Sequence, residues 1–131
     1  MPGIETSASA RRTAVLCSGG LDSAVLIASE LEAGPGDVKK PYIQPIYVSS
    51  GFAWESAERE RTVAMLRAAP FDGAVEPLAY LACPVTDTYP EGHWALVGKP
   101  PAYNTPDDDV FLIGRNILLL AKVSAYCALN G

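Results

Sequence analysis

Ser18, Gly19, Gly20, Leu21, Asp22 and Ser23 follow directly on the apolar run Ala14-Val15-Leu16-Cys17 and pass without pause into Ala24-Val25-Leu26-Ile27-Ala28. The chemistry this spacing suits is anion binding. Adjacent glycines let the main chain turn sharply and bring its N–H groups up to a ligand with no side chain between. Ser18, Asp22 and Ser23 are residue types that cap a helix start and leave first-turn donors facing outward. Together with the positive end of the helix dipole, a strand, such a turn and a helix make a phosphate cradle. The competing reading is a plain glycine turn between a strand and a helix.

Gly114, Arg115 and Asn116 open the last apolar stretch. A permanent cation and an amide at a helix start add to the exposed N–H donors there. If the two helix starts lie close together, Arg115 reaches a phosphate or a carboxylate; otherwise it pairs with an aspartate of Asp107-Asp108-Asp109. That acidic run reads as a solvated loop before it reads as a magnesium site. His93, the sole histidine, reads as a surface-loop residue. Trp94 has two readings of equal weight, covering a flat heterocycle or packing its loop onto the core.

These residues must be positioned by one small domain. The chain has 131 residues, 49% of them hydrophobic and 19% charged, a globular composition with room for a single core. A formal net charge of -5 argues against a general grip on nucleic acid or an anionic membrane. Cys17, Cys83 and Cys127 are odd in number and far apart, which suits a reducing cytoplasm and suggests neither disulfides nor a zinc site. Arg115, Asn116 and Lys122 interrupt the C-terminal apolar run, so no membrane span is expected.

Residues 1–12 read as a flexible tail and 13–131 as the domain. Thr13 to Cys17 is a predicted buried strand and Asp22 to Glu32 a helix, stopped by Gly34-Pro35-Gly36. Pro45 to Ser49, led in by Tyr42 and Ile43, is the second strand. Ala53 to Ala69 is the second helix, with Glu55 four residues before Arg59 in the favourable ion-pair order. Ala74 to Leu81 is a third strand, and Pro77 hints that it lies at an edge. Pro84 to Leu112 has no repeating pattern and reads as a functional lid or binding loop, since disordered segments tend to lack aromatics such as Tyr89, Trp94 and Tyr103. Gly114 to Asn130 is a helix apolar on nearly its whole circumference, predicted to be buried on most sides. This order predicts a parallel α/β sheet, with ligands beyond the C-terminal strand ends, where the Ser18–Ser23 loop falls.

The SGGLDS loop resembles the PP-loop of the N-type ATP pyrophosphatases, which cleave ATP between the α and β phosphates. Ile113-Gly114-Arg115-Asn116-Ile117 is similar to the Pro-Gly-Arg-Asn helix start of the 7-cyano-7-deazaguanine synthases of queuosine biosynthesis, with Ile113 where that family has proline. His93-Trp94-Ala95-Leu96-Val97-Gly98 resembles a loop of a divergent branch. Gly51 to Glu58 occupies the place of a Tyr-Gly-Gln-x-His segment, without its Gln and His.

The resemblance implies a three-layer, Rossmann-like fold of the adenine nucleotide alpha hydrolase type, incomplete at its C-terminal side. It implies ATP binding by Cys17, Ser18, Gly19, Gly20, Leu21, Asp22 and Ser23, with Asp22 helping to place magnesium. Asp22 and Arg115 are the implied catalytic residues, and Gly114, Arg115, Asn116 and Trp94 the implied substrate or phosphate contacts. The implied reaction adenylates a small-molecule carboxylate, releases pyrophosphate and transfers ammonia. The family's four-cysteine zinc site and a fourth parallel strand beside the first do not occur in this sequence. The chain is therefore expected to be an N-terminal portion, or to need a homodimer or a complementing C-terminal segment. Amidation or tRNA-base modification by the same loop, and a non-catalytic nucleotide-binding remnant, remain alternative readings.

Overall fold

The first strand of the computed structural model, β1, runs over Arg12–Leu16, one residue earlier than its apolar run suggests. Residues 11–33, 41–107 and 111–131 are described; the N-terminal stretch 1–10, Gly34-Pro35-Gly36, Asp108 and Asp109 lie outside them. In order follow α1 (Leu21–Glu32), β2 (Tyr42–Ser49), α2 (Glu55–Leu66), β3 (Ala79–Ala82), α3 (Trp94–Val97) and α4 (Arg115–Asn130). The result is an α/β fold on a parallel sheet of three strands, ordered β1-β2-β3.

Register is continuous, from Arg12 opposite Tyr42 to Leu16 opposite Ile46, and from Ile46 opposite Ala79 to Ser49 opposite Ala82. Because side chains alternate along a strand, Val15, Cys17 and Ile43 share a face, where they pack with Ile27 of α1, Phe71, and Met65 and Leu66 at the end of α2. Tyr126 and Cys127 of α4 border a cavity lined by Ala14 and Gln44, residues of the opposite parity, so α4 meets the sheet from the other side.

Three expectations change. β3 is shorter and starts later than the run Ala74–Leu81, because Ala74 closes a turn onto Phe71 before the chain reaches the sheet; it does lie at the edge, as Pro77 hints. The segment Pro84–Leu112 is not wholly irregular. It contains α3, and with Val85, Tyr89 and Ala95 it builds a second core cluster around Phe52.

The third change is α4, which is exposed rather than buried on most sides. None of its residues is buried, and Ile117, Leu120 and Leu129 are 75%, 60% and 86% exposed. The described residues supply only a short sheet for it to lie on, and β1 pairs with β2 alone. No helix is long and apolar enough to cross a membrane among the described residues.

The turn after β1 is locked to α2. Gly19 has φ +73, and a Cβ there would stand 2.9 Å from the Thr62 backbone nitrogen, 2.9 Å from Arg61 Cβ and 3.0 Å from the Glu58 carbonyl oxygen. Gly20, at φ −85, meets nothing closer than Ser18 Oγ at 3.5 Å. Gly19→Ala is therefore expected to cost about 1–3 kcal/mol from backbone strain alone, with the contact against α2 adding to it. Gly20→Ala costs at most about 1 kcal/mol, the difference between the two as helix caps. Paired thermal melts of the two variants check this ordering.

Candidate functional site

The Ser18–Ser23 loop leaves the C-terminal end of β1, where Cys17 N–H still donates to the Ile46 carbonyl at 2.8 Å. Its capping differs from expectation. Gly20, not a serine or aspartate, is the N-cap of α1, and no side chain caps that end. Ser23 is buried and braces the loop from within, accepting from Ser18 N–H at 3.4 Å and donating to the Gly20 carbonyl at 3.3 Å. Asp22 and Leu21 are exposed on the first turn. The Cys17 thiol turns inward to the core, 3.5 Å from the Val15 carbonyl, and burial pushes it up to about 11. It is a packing residue whose main chain, not its sulfur, belongs to the loop.

α4 begins at Gly114, whose φ of +73 sets the turn into it. This places Arg115 and Asn116 over the same opening as the loop. Leu16, Cys17, Ser18, Tyr47, Phe52, Glu55, Glu58, Arg115 and Asn116 are among the residues lining one cavity of about 180 Å³. Arg115 lies with its guanidinium 5.7 Å from the centre of the Phe52 ring, and its Nε is buried with no hydrogen-bond partner among the described residues. It makes no ion pair with Asp107. Buried donors without partners are uncommon in folded proteins; Arg115 and Asn116 also line another, more open cavity of about 400 Å³ with Asp107 and Gly114. Below the roughly 300 Å³ at which drug-sized pockets begin, the cavity shared with Ser18 suits a phosphate or a small substituent, not a whole nucleotide.

The opposite wall is α2, and the chemistry of that wall was not read from the sequence. Glu55 does not pair with Arg59. Its carboxylate turns back over the end of β2, accepting from the backbone N–H groups of Ser50 (2.9 Å), Gly51 (3.1 Å) and Phe52 (3.3 Å) and from Ser49 Oγ (2.7 Å). Three N–H groups and a hydroxyl outbid one solvated guanidinium for a buried carboxylate. Glu58, also buried, accepts from Trp54 Nε1 at 2.7 Å. Thr62, fully buried, donates to the Glu58 carbonyl at 2.8 Å. The available signal was the spacing of Glu55, Glu58 and Thr62, polar residues on the helix stripe normally given to apolar ones.

Burial, the largest influence, raises the Glu58 carboxyl above its ordinary value; Glu55 adds to the rise, while Trp54, Arg115 and Arg61 oppose it. Burial likewise holds the Tyr47 phenol well above its usual range.

Trp94 lies away from this cavity. It stacks on Trp54 at 5.8 Å between ring centres, in the aromatic cluster that also holds Phe52 and Tyr89, so it packs its loop onto the core. His93 is half-buried; its Nδ1 accepts from Ala95 N–H at 3.2 Å and starts α3. Among the described residues no group of three or more His, Cys, Asp or Glu side chains is arranged to hold a metal. A second cavity, of about 230 Å³, lies between Arg12, Gln44 and Tyr126, away from the loop. The chemistry favours the smaller one, which Glu55, Glu58 and Arg115 line together with Ser18, though Gly19, Gly20, Leu21, Asp22 and Ser23 are not among its lining residues.

No family model matches the chain, and neither a curated protein nor a solved structure matches it.

The raised Glu58 carboxyl has a consequence for stability. Its folded-state affinity for a proton exceeds the unfolded one, so the folded state binds more protons between the ordinary value of 4.5 and the raised value. Stability from this group then falls as pH rises through that window. Glu58→Gln keeps an acceptor for Trp54 and removes the titration. Its melting temperature relative to the parent is expected to be higher at pH 7 than at pH 4; equal differences at both pH values would count against a buried, titrating Glu58.

Proposed function

We propose that this chain is an ATP-dependent ligase of the PP-loop type, built on an adenine nucleotide alpha hydrolase-like fold. It adenylates a small-molecule carboxylate, releases pyrophosphate and passes the acyl group to ammonia, as in formation of 7-cyano-7-deazaguanine from 7-carboxy-7-deazaguanine. The observation that carries this reading is the meeting of two distant stretches of sequence. Ser18 of the loop lines the same cavity as Arg115 and Asn116, and the Arg115 guanidinium makes no ion pair among the described residues.

The uncapped first turn of α1 offers N–H donors to the β and γ phosphates. Arg115 supplies a permanent cation for a phosphate or for the substrate carboxylate. Asp22, a single exposed carboxylate on that turn, would hold magnesium, which is bound through one or two carboxylates together with phosphates and water and offsets charge on the departing pyrophosphate. The substrate carboxylate is its own nucleophile in the first step, so the residues here act chiefly by positioning.

Calorimetric titration with magnesium and ATP tests binding. AMP and pyrophosphate release with a panel of carboxylates and ammonia tests turnover. Removing a charged donor costs about 1.5–3 kcal/mol, so Arg115→Ala is expected to lower affinity or pyrophosphate release roughly 10–100-fold. Arg115→Ala matching the parent in both assays overturns the reading, and binding without any pyrophosphate release reduces the chain to a nucleotide-binding module.

A further inference from the structure

Glu58 is a buried ionisable group to which adenylation assigns no task. It is 7% exposed, yet it is among the residues lining the cavity that Ser18 and Arg115 share. Glu55, equally buried, is saturated by four donors and serves the β2–α2 turn. Glu58 is different: Oε1 is fixed by the Trp54 indole, and Oε2 has no hydrogen-bond partner among the described residues. The indole is itself held by stacking on Phe52 at 4.8 Å and on Trp94 at 5.8 Å.

The main chain of Glu58 packs on the loop, since a Cβ on Gly19 would come within 3.0 Å of its carbonyl oxygen, and the residue shares its cavity with Ser18. A buried carboxylate beside an anion seat is electrostatically unfavourable unless it takes up a proton or faces a donor. The ionisable groups around it are Glu55 and Arg61 on its own helix, Arg115 from α4, and Tyr47 from β2 across the cavity.

We propose that Glu58 is the proton acceptor for the ammonia that displaces the adenylate, and that Trp54 is the residue positioning it. The proposal rests on the adenylation reading above. In the step it describes, the nitrogen lone pair forms a bond to the acyl carbon, and the bond from that carbon to the adenylate oxygen breaks. The electron pair leaves with AMP, whose phosphate the Arg115 guanidinium can meet as a permanent cation. One N–H proton passes to the free Glu58 oxygen, and a neutral amide remains. Burial brings the proton affinity of this carboxyl upward, in the direction that suits a base working near neutral pH.

Two half-reactions separate the proposal from the reading beneath it. ATP–pyrophosphate exchange, run with 7-carboxy-7-deazaguanine as probe, reports adenylation; a single-turnover chase of the preformed adenylate with ammonia reports amide formation. Glu58→Gln is expected to slow the chase about 100–10,000-fold, the range for loss of a general base. Hydroxylamine, a stronger nucleophile that is largely unprotonated at neutral pH, narrows that deficit. Trp54→Phe removes a hydrogen bond that favours the ionised form, so the acid limb of the chase profile moves to higher pH.

A Glu58→Gln variant that folds cooperatively and chases with ammonia at the parental rate overturns the proposal alone. If Glu58→Gln does not fold, the Trp54→Phe profile decides, and an unmoved acid limb overturns it. A parent chain without exchange overturns the adenylation reading, and this inference with it.

Discussion

The fold around the site depends on how closely the turn after β1 approaches α2. Gly19 sits against the backbone of Thr62 and Glu58 with no space for a side chain. That contact fixes the height of the loop over the sheet and puts the start of α1 beside the middle of α2. Ser23 completes the arrangement from inside, bridging Ser18 and Gly20 through one hydroxyl. The donors of the first turn of α1 are left open to solvent because bracing is done on the inner side of the loop.

Polar groups in the interior follow from the same geometry. A helix that faces a loop and a cavity, not an apolar layer, cannot bury leucines there without stranding main-chain donors. α2 buries Glu55, Glu58 and Thr62 instead. Glu55 gathers the N–H groups that β2 leaves unpaired as it ends, and Thr62 returns its hydroxyl to its own helix. Glu58 is tied at one oxygen only, to an indole held in an aromatic stack. Across the cavity Arg115 is held near the Phe52 ring with its Nε unbonded. Glu58 and Arg115 thus line one small space without closing into an ion pair.

Much of this was legible from residue types. The glycine pair after an apolar run marked the loop, and Arg115-Asn116 after Gly114 marked the start of α4. Pro77 pointed to the edge position of β3. Other readings failed for local reasons. Capping preferences pointed to Ser18, Asp22 or Ser23, but the tight turn leaves Gly20 at the cap and draws Ser23 inward. The i, i+4 spacing of Glu55 and Arg59 promised a surface pair, which a nearer set of backbone donors displaced. The all-round apolar surface of α4 promised burial, but a helix is buried only where neighbours exist, and the described sheet covers little of it.

Short-range order was therefore settled by the amino-acid sequence alone. Runs of apolar residues, glycine and proline punctuation and helix periodicity depend on neighbours within a few positions, and they placed most strands, helices and the glycine turn. The company each side chain keeps was decided only by tertiary structure. Arg115, Ser18 and Glu58 line one cavity because β1, β2, α2 and α4 converge at one end of the sheet. Burial and electrostatic coupling depend on distances in space, and residues so far apart along the chain carry no local mark of them.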